Sequence, residues 1–277
     1  MDTAPRLSSG QRVIRVLPGW AFIDGANKYA ATNKVYKNKT NTFANIIASY
    51  PPINQIVDSL GADQQSFVGS VNFGIRKPNF VVLHHTAQSS VDKTISTFIS
   101  TTNETSAHYV VGRDGKVVQM VNDYLRANHA GLGRWGNDTD LNSSSIGIEL
   151  DNNGAEPFSD AQINSLMVLL GTLKKKYNIP TANFIGHADL APGRKVDPLN
   201  FPWKKLAQRG FGLWYDRVLK MPPEQFDGLQ ALKIMGYDTR NPGAAINAFK
   251  IHFVQTDVSP VLTLADKLIL YNLYTKF

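Results

Sequence analysis

Asn79-Phe80-Val81-Val82-Leu83-His84 is an apolar run that ends on an imidazole. Its β-branched and aromatic residues, with no charge among them, read as a strand buried on both faces. Around it, strand and helix signals alternate. Val91, Ile95, Phe98 and Ile99 mark a helix, and residues 107–113 and 116–121 flank Asp114-Gly115, a strong hairpin signal. Residues 145–150, Ser-Ile-Gly-Ile-Glu-Leu, form another apolar strand. Ser159 with Gln162 makes a capping box ahead of Ile163, Leu166, Met167, Leu170, Leu173 and Tyr177, and residues 183–186 form a further short strand. The order β, α, hairpin, β, α, β predicts an α/β domain with a mixed central β-sheet flanked by helices.

Outside this region the pattern changes. After Trp214 only helical signals occur: Phe226, Leu229 and Leu232 ended by Gly236, then Ile246, Phe249 and Phe253, then Ala265, Leu268, Ile269 and Leu273. They predict a small three-helix C-terminal domain, near the lower size limit for independent folding. Upstream, residues 1–40 lack clean periodicity and are expected to be mostly irregular. Two short amphipathic helices should follow, on Phe43, Ile46, Ile47 and Tyr50, stopped by Pro51-Pro52, and on Ile53, Ile56, Val57 and Leu60, stopped by Gly61. The expected division is a basic arm with short helices at 1–65, a catalytic domain at 66–215 and the helical domain at 216–277.

Composition narrows the function. The chain has 277 residues and no cysteine, so disulfides, thiolate metal sites and thiol nucleophiles are excluded. No run approaches the roughly 18 apolar residues of a membrane-spanning helix. The net charge of +7 is concentrated at the start, where residues 1–40 hold seven Lys and Arg against Asp2 and Asp24. Such an arm favours a polyanion, be it nucleic acid, anionic lipid or an acidic cell-wall polymer. No nucleic-acid-binding signature accompanies it.

His84 ends one apolar strand, and His187 ends another in Asn-Phe-Ile-Gly-His-Ala-Asp, with Asp197 ten residues on in Gly-Arg-Lys-Val-Asp-Pro. A buried imidazole satisfied by hydrogen bonds is the commoner case for a single His. Two His and a carboxylate, however, are also a ligand set for catalytic zinc, in which three protein ligands leave a fourth position open. His85 points to the opposite face from His84, so at most one of them can be a ligand in a regular strand. On spacing alone, Asp189 competes with Asp197. Glu149 is a carboxylate among apolar neighbours, costly unless paired or functional. Lys195 could offer its ammonium to a developing oxyanion.

Five motifs stand in one order: Val-Val-Leu-His-His-Thr-Ala, Ser-Ala-His-Tyr-Val-Val-Gly-Arg-Asp-Gly, Ala-Asn-His-Ala-Gly, Ser-Ile-Gly-Ile-Glu-Leu and Gly-His-Ala-Asp-Leu-Ala-Pro-Gly-Arg-Lys-Val-Asp-Pro. Over about residues 80–203 the chain resembles the type 2 N-acetylmuramoyl-L-alanine amidases, relatives of the animal peptidoglycan recognition proteins. The helices that follow resemble a peptidoglycan-binding domain, so the whole is similar to the AmiD-like two-domain bacterial enzymes. The resemblance implies zinc held by His84, His187 and Asp197, with Glu149 as general base and Lys195 as oxyanion stabiliser. It implies substrate-binding roles for His129, His108 and His85, with peptidoglycan or muropeptides as the partner. It also implies a place in the bacterial cell envelope, the periplasm, with a lipid-anchored precursor as an option. Two departures stand out: His85, where the nearest amidases often carry Tyr, and Ala107, where the animal amidases carry a catalytic Tyr. A non-catalytic recognition module is the alternative, but such modules typically lack a full ligand set. Because all five proposed catalytic residues precede Trp214, the C-terminal helices are expected to tether the enzyme to its polymer rather than to serve bond cleavage.

Overall fold

The computed structural model describes residues 28–49, 75–102 and 104–277. Along the chain these form α1 (Ala30–Ser49), β1 (Phe80–His85), α2 (Val91–Ile99), β2 (Tyr109–Val111), β3 (Val117–Gln119), α3 (Leu141–Ser144), β4 (Ser145–Leu150), α4 (Asp160–Tyr177), β5 (Phe184–Gly186), α5 (His187–Leu190), α6 (Trp203–Ala207), α7 (Gly228–Met235), α8 (Pro242–Phe253) and α9 (Leu264–Tyr274). The strands make one mixed sheet in the order β3-β2-β4-β1-β5. β1 pairs in parallel with both β4 and β5, β2 pairs in parallel with β4, and only the β2–β3 hairpin is antiparallel. Gly115, at φ 83°, supplies the left-handed residue of the hairpin turn.

Strand alternation divides the sheet's side chains between two apolar clusters. Val81, Leu83, Ile146, Ile148, Leu150 and Phe184 pack under α4 through Ile163, Leu166, Leu170 and Leu173. Val82 and Ile185 face the other way, together with His84 and Glu149. Ser159 caps α4 by accepting from the Gln162 N–H at 3.1 Å. The Gln162 side chain does not return to Ser159. It donates to the carbonyls of Val111 and Asp151, pinning the helix start to the ends of β2 and β4.

The second face shows what the C-terminal helices do. Ala231, Leu232, Met235, Phe249, Phe253, Leu270 and Leu273 share a single cluster with Val82, Trp135, Ile185 and Leu190 of the sheet region. Three helices of this length are near the lower limit for a core of their own, and here they complete the core of the sheet. Caps set their ends: Asp227 accepts from the Leu229 and Gln230 N–H groups, Pro242 occupies the first turn of α8, and Thr263 and Asp266 form a reciprocal capping box. Lys250, wholly buried, is neutralised by Asp266 at 2.9 Å and Asp257 at 2.6 Å.

One sequence expectation is corrected upstream. Residues 30–40 are helical, because α1 runs unbroken from Ala30 to Ser49. Tyr36, Phe43 and Ile47 recur at i, i+7 and i+11, and no Gly or Pro interrupts the segment, so the stripe seen from Phe43 extends back by two turns. The helix expected on Ile53, Ile56, Val57 and Leu60 lies outside the described residues. Among the described residues, no helix is long and apolar enough to cross a membrane.

Candidate metal centre

The carboxyl ends of parallel strands β1, β4 and β5 converge on one patch, the usual place for a site in such a sheet. His84 sits at the end of β1, opposite Glu149 in the parallel register of β4. His187 is the first residue of α5, directly after β5. Asp197 reaches the same point from the following loop, held there by the Ala188 N–H, which donates to its carbonyl at 2.8 Å. Nδ1 of His84, Nδ1 of His187 and Oδ2 of Asp197 are mutually 3.0, 3.1 and 3.3 Å apart. They are the one cluster of potential metal ligands among the described residues.

The protons of this cluster follow from its outer hydrogen bonds. Ser145 Oγ donates to the Leu141 carbonyl, so it can only accept from His129 Nε2, 3.2 Å away. His129 Nδ1 is then an acceptor, and His84 Nε2 donates to it at 3.0 Å, which leaves His84 Nδ1 without a proton. His187 Nε2 lies 3.1 Å from the Ala130 carbonyl and must donate to it, so His187 Nδ1 is bare as well. Burial, and then the neighbouring His187, push His84 down to about 4, which keeps the imidazole neutral at pH 7. Burial raises the Asp197 carboxyl, but its contacts with His187 and His84 outweigh burial and hold it below the ordinary carboxylate range. Two bare nitrogens and a carboxylate oxygen thus face one another at about 3 Å with no proton to share.

Such a trio fits a cation. A tetrahedral zinc with ligands at about 2.0–2.1 Å sets its donors roughly 3.3–3.4 Å apart, close to the spacing here. Imidazole ligands also characteristically donate their second N–H to a protein acceptor, as both do here. Glu149 completes the patch. Its Oε2 is enclosed without a hydrogen-bond partner, and burial, with the Asp197 charge, pushes its carboxyl up to about 8 against the opposing charge of Lys195. Lys195 is partly exposed in the loop between α5 and Asp197, and its charge also reaches His84.

The remaining sequence candidates are placed differently. His129 stands behind His84 as its hydrogen-bond acceptor, and burial and the neighbouring His84 hold it well below the ordinary imidazole value. His108 is 0% exposed, accepts from the Gly147 N–H and contacts the Leu125 carbonyl. No face of it is open to a substrate, so the substrate-binding expectation for His108 is corrected. His85 points to the α4 side of the sheet, keeps part of its surface, and accepts from the Leu199 N–H at 3.3 Å. Asp189 does not join the trio, because its oxygens are engaged elsewhere. Sequence reading missed Ser145 and Asn142, whose Oδ1 accepts from the His129 and Ala130 N–H groups and so aims the Ala130 carbonyl. One signal was available: Gly147 inside an apolar strand marks a close approach, and a Cβ there would overlap the His129 ring.

Comparison with known proteins covers the segment that carries this geometry. The family described as N-acetylmuramoyl-L-alanine amidase (Amidase_2) matches residues 74–200. The N-acetylmuramoyl-L-alanine amidase AmiD of Escherichia coli is 35% identical over 209 residues, covering 64% of this chain and 75% of AmiD. The chain belongs to the N-acetylmuramoyl-L-alanine amidase family. The 1,6-anhydro-N-acetylmuramyl-L-alanine amidase AmpD of Haemophilus influenzae is 39% identical over 102 residues, covering 36% of this chain and 55% of AmpD. Among solved structures, E. coli AmiD in complex with the substrate anhydro-N-acetylmuramic acid-L-Ala-D-gamma-Glu-L-Lys aligns with a TM-score of 0.65 at 30% identity, over 80% of this chain and 96% of that one. AmpDh3 of Pseudomonas aeruginosa aligns with a TM-score of 0.65 at 29% identity, over 79% and 99%. Both alignments extend over far more of the chain than the matched family segment, in keeping with the mixed α/β fold.

Proposed function

We propose that this amidase-family chain is a zinc-dependent hydrolase of the amide bond between N-acetylmuramic acid and L-alanine in peptidoglycan or muropeptides. One observation carries the reading: three proton-free donors converge at 3.0–3.3 Å beside a carboxylate held in register with one of them. His84, His187 and Asp197 would hold the metal. When bound, zinc supplies a Lewis acid that activates water and polarises the scissile carbonyl.

The chain's own residues supply the rest. Glu149 has an unpartnered oxygen and acts in its ionised form, which the charge of a bound cation would favour against the burial that otherwise raises its pKa. It accepts the proton of the attacking water and delivers it to the departing L-alanine nitrogen. The hydroxyl adds to the lactyl carbonyl carbon, the carbon–nitrogen bond breaks, and the products are a carboxylate and a free amine. Lys195 places a positive charge where the carbonyl oxygen turns negative. The His129–Ser145 chain keeps His84 in the tautomer that presents Nδ1. This reading assigns the enzyme to the bacterial cell envelope, where the polymer lies, with the periplasm as its compartment.

The test is elemental analysis of the purified protein together with hydrolysis of a synthetic muramoyl-L-alanyl peptide. One zinc per chain and chelator-sensitive release of a peptide with a free L-alanine amine are expected. Hydrolysis that persists in metal-free protein would refute the reading.

A further inference from the structure

Asp189 is 1% exposed, and neither of its oxygens faces the metal trio. Oδ2 accepts from the Gly186 N–H and from His252 Nδ1, both at 2.7 Å. Oδ1 accepts from the Tyr237 hydroxyl, also at 2.7 Å. Gly186 belongs to the turn that carries His187, whereas Tyr237 follows α7 and His252 lies in α8. A carboxylate within α5 is therefore clasped by two side chains from the C-terminal helices.

Both partners are themselves locked. The His252 ring stacks between Trp203 at 3.9 Å and Phe253 at 4.0 Å. The Tyr237 ring packs edge-on against Trp135 at 4.9 Å. Burial, and then the Asp189 charge, keep the Tyr237 phenol in its donating form. A buried carboxylate without such donors would be costly, so the three hydrogen bonds fix where Asp189 can sit.

The consequence falls on His187. α5 has only four residues, too few to hold its own shape, and Asp189 caps its entry by holding the Gly186 N–H. The direction of His187 Nδ1 thus depends on Asp189, which in turn depends on Tyr237 and His252. We infer that Tyr237 and His252 are positioning residues for the metal centre, acting through Asp189, so the C-terminal helices help to build the site. The inference rests on the zinc reading above.

The test compares four full-length proteins: wild type, Tyr237→Phe, His252→Phe and Leu273→Ala. Phe at 237 deletes a single hydroxyl, and Phe at 252 keeps a flat ring between Trp203 and Phe253. Leu273 is buried in α9 within the same apolar cluster but takes no part in the clasp, so it reports general destabilisation. Zn2+ affinity is measured at 25 °C by competition with a chromophoric chelator, with melting curves and the visible spectrum of the Co2+ forms alongside. Tyr237→Phe and His252→Phe should bind Zn2+ about tenfold more weakly, the low end of the loss seen when a direct partner of a ligand is removed, because they act one step further back, and should shift the Co2+ bands. Leu273→Ala should melt earlier while keeping wild-type affinity and spectrum. Wild-type affinity in both clasp variants would overturn the inference, and so would a loss of affinity in Leu273→Ala matching its loss of stability. Wild type that binds no Zn2+ is a separate result, and it would remove the zinc reading itself.

Discussion

Each acidic residue of the site has its own expected signature. Asp197→Ala should lose zinc and activity, since two imidazoles alone leave a metal under-coordinated, whereas a change at Asp189 should weaken binding without abolishing it. Elemental analysis of the two variants checks this. Glu149→Gln should retain zinc and fold but lose turnover by about 100-fold or more, the scale of a removed general base. Glu149 also predicts a pH effect in metal-free protein. Its folded pKa of about 8 lies above the unfolded value, so its stabilising contribution is complete at low pH and is lost as pH rises towards 8. His84 and His108, both pushed down to about 4 by burial, act oppositely, and their contribution is lost as pH falls below about 6.5. Between pH 6.5 and 8 the chelated protein should therefore lose stability, by up to about 1.4 kcal/mol per pH unit from this one group. Calorimetry should find that slope in wild type and a flatter one in Glu149→Gln.

At the scale of elements, β4 brings legible and illegible features together. Its limits, 145–150, and its apolar character could be read directly, because a strand buried on both faces needs nothing beyond local hydrophobicity. The convergence of His84, His187 and Asp197 had a local trace too, since imidazoles at strand ends and a short loop restrict where each can go. The relay Ser145–His129–His84 had none: its members are brought together by the β1–β4 register and by a loop that returns through Asn142. The role of His108 was misjudged for this reason, because its complete burial is a tertiary fact. α1 was underestimated because weak helical residues between Ala30 and Thr42 hide the continuation of the Phe43–Ile47 stripe. The relay makes its own prediction. Gly147→Ala would push the His129 ring off its place, and zinc affinity should fall by about tenfold while β4 stays paired. Chelator competition, with backbone amide exchange of β4 alongside, checks this.

For the whole molecule, the C-terminal helices are the main revision. Sequence alone favoured a tether for polymer that could be removed without touching chemistry. In the structure their apolar residues close the sheet's second face, and Tyr237 and His252 reach Asp189. Truncation after Trp214 should therefore lower the melting temperature and reduce hydrolysis of soluble muropeptides and sacculi alike. Sparing of the soluble substrate would restore the tether as the main role. The predictions for metal binding and hydrolysis depend on a zinc centre at His84, His187 and Asp197 cutting the muramoyl–alanine bond. The most direct measurement is mass spectrometry of the products released from purified sacculi by the full-length protein, untreated, chelator-treated, and chelator-treated then resupplied with Zn2+. Stem peptides beginning with a free L-alanine amine should be released, vanish with chelator and return with Zn2+. Release that ignores the chelator, or peptides cut at any other bond, would contradict it.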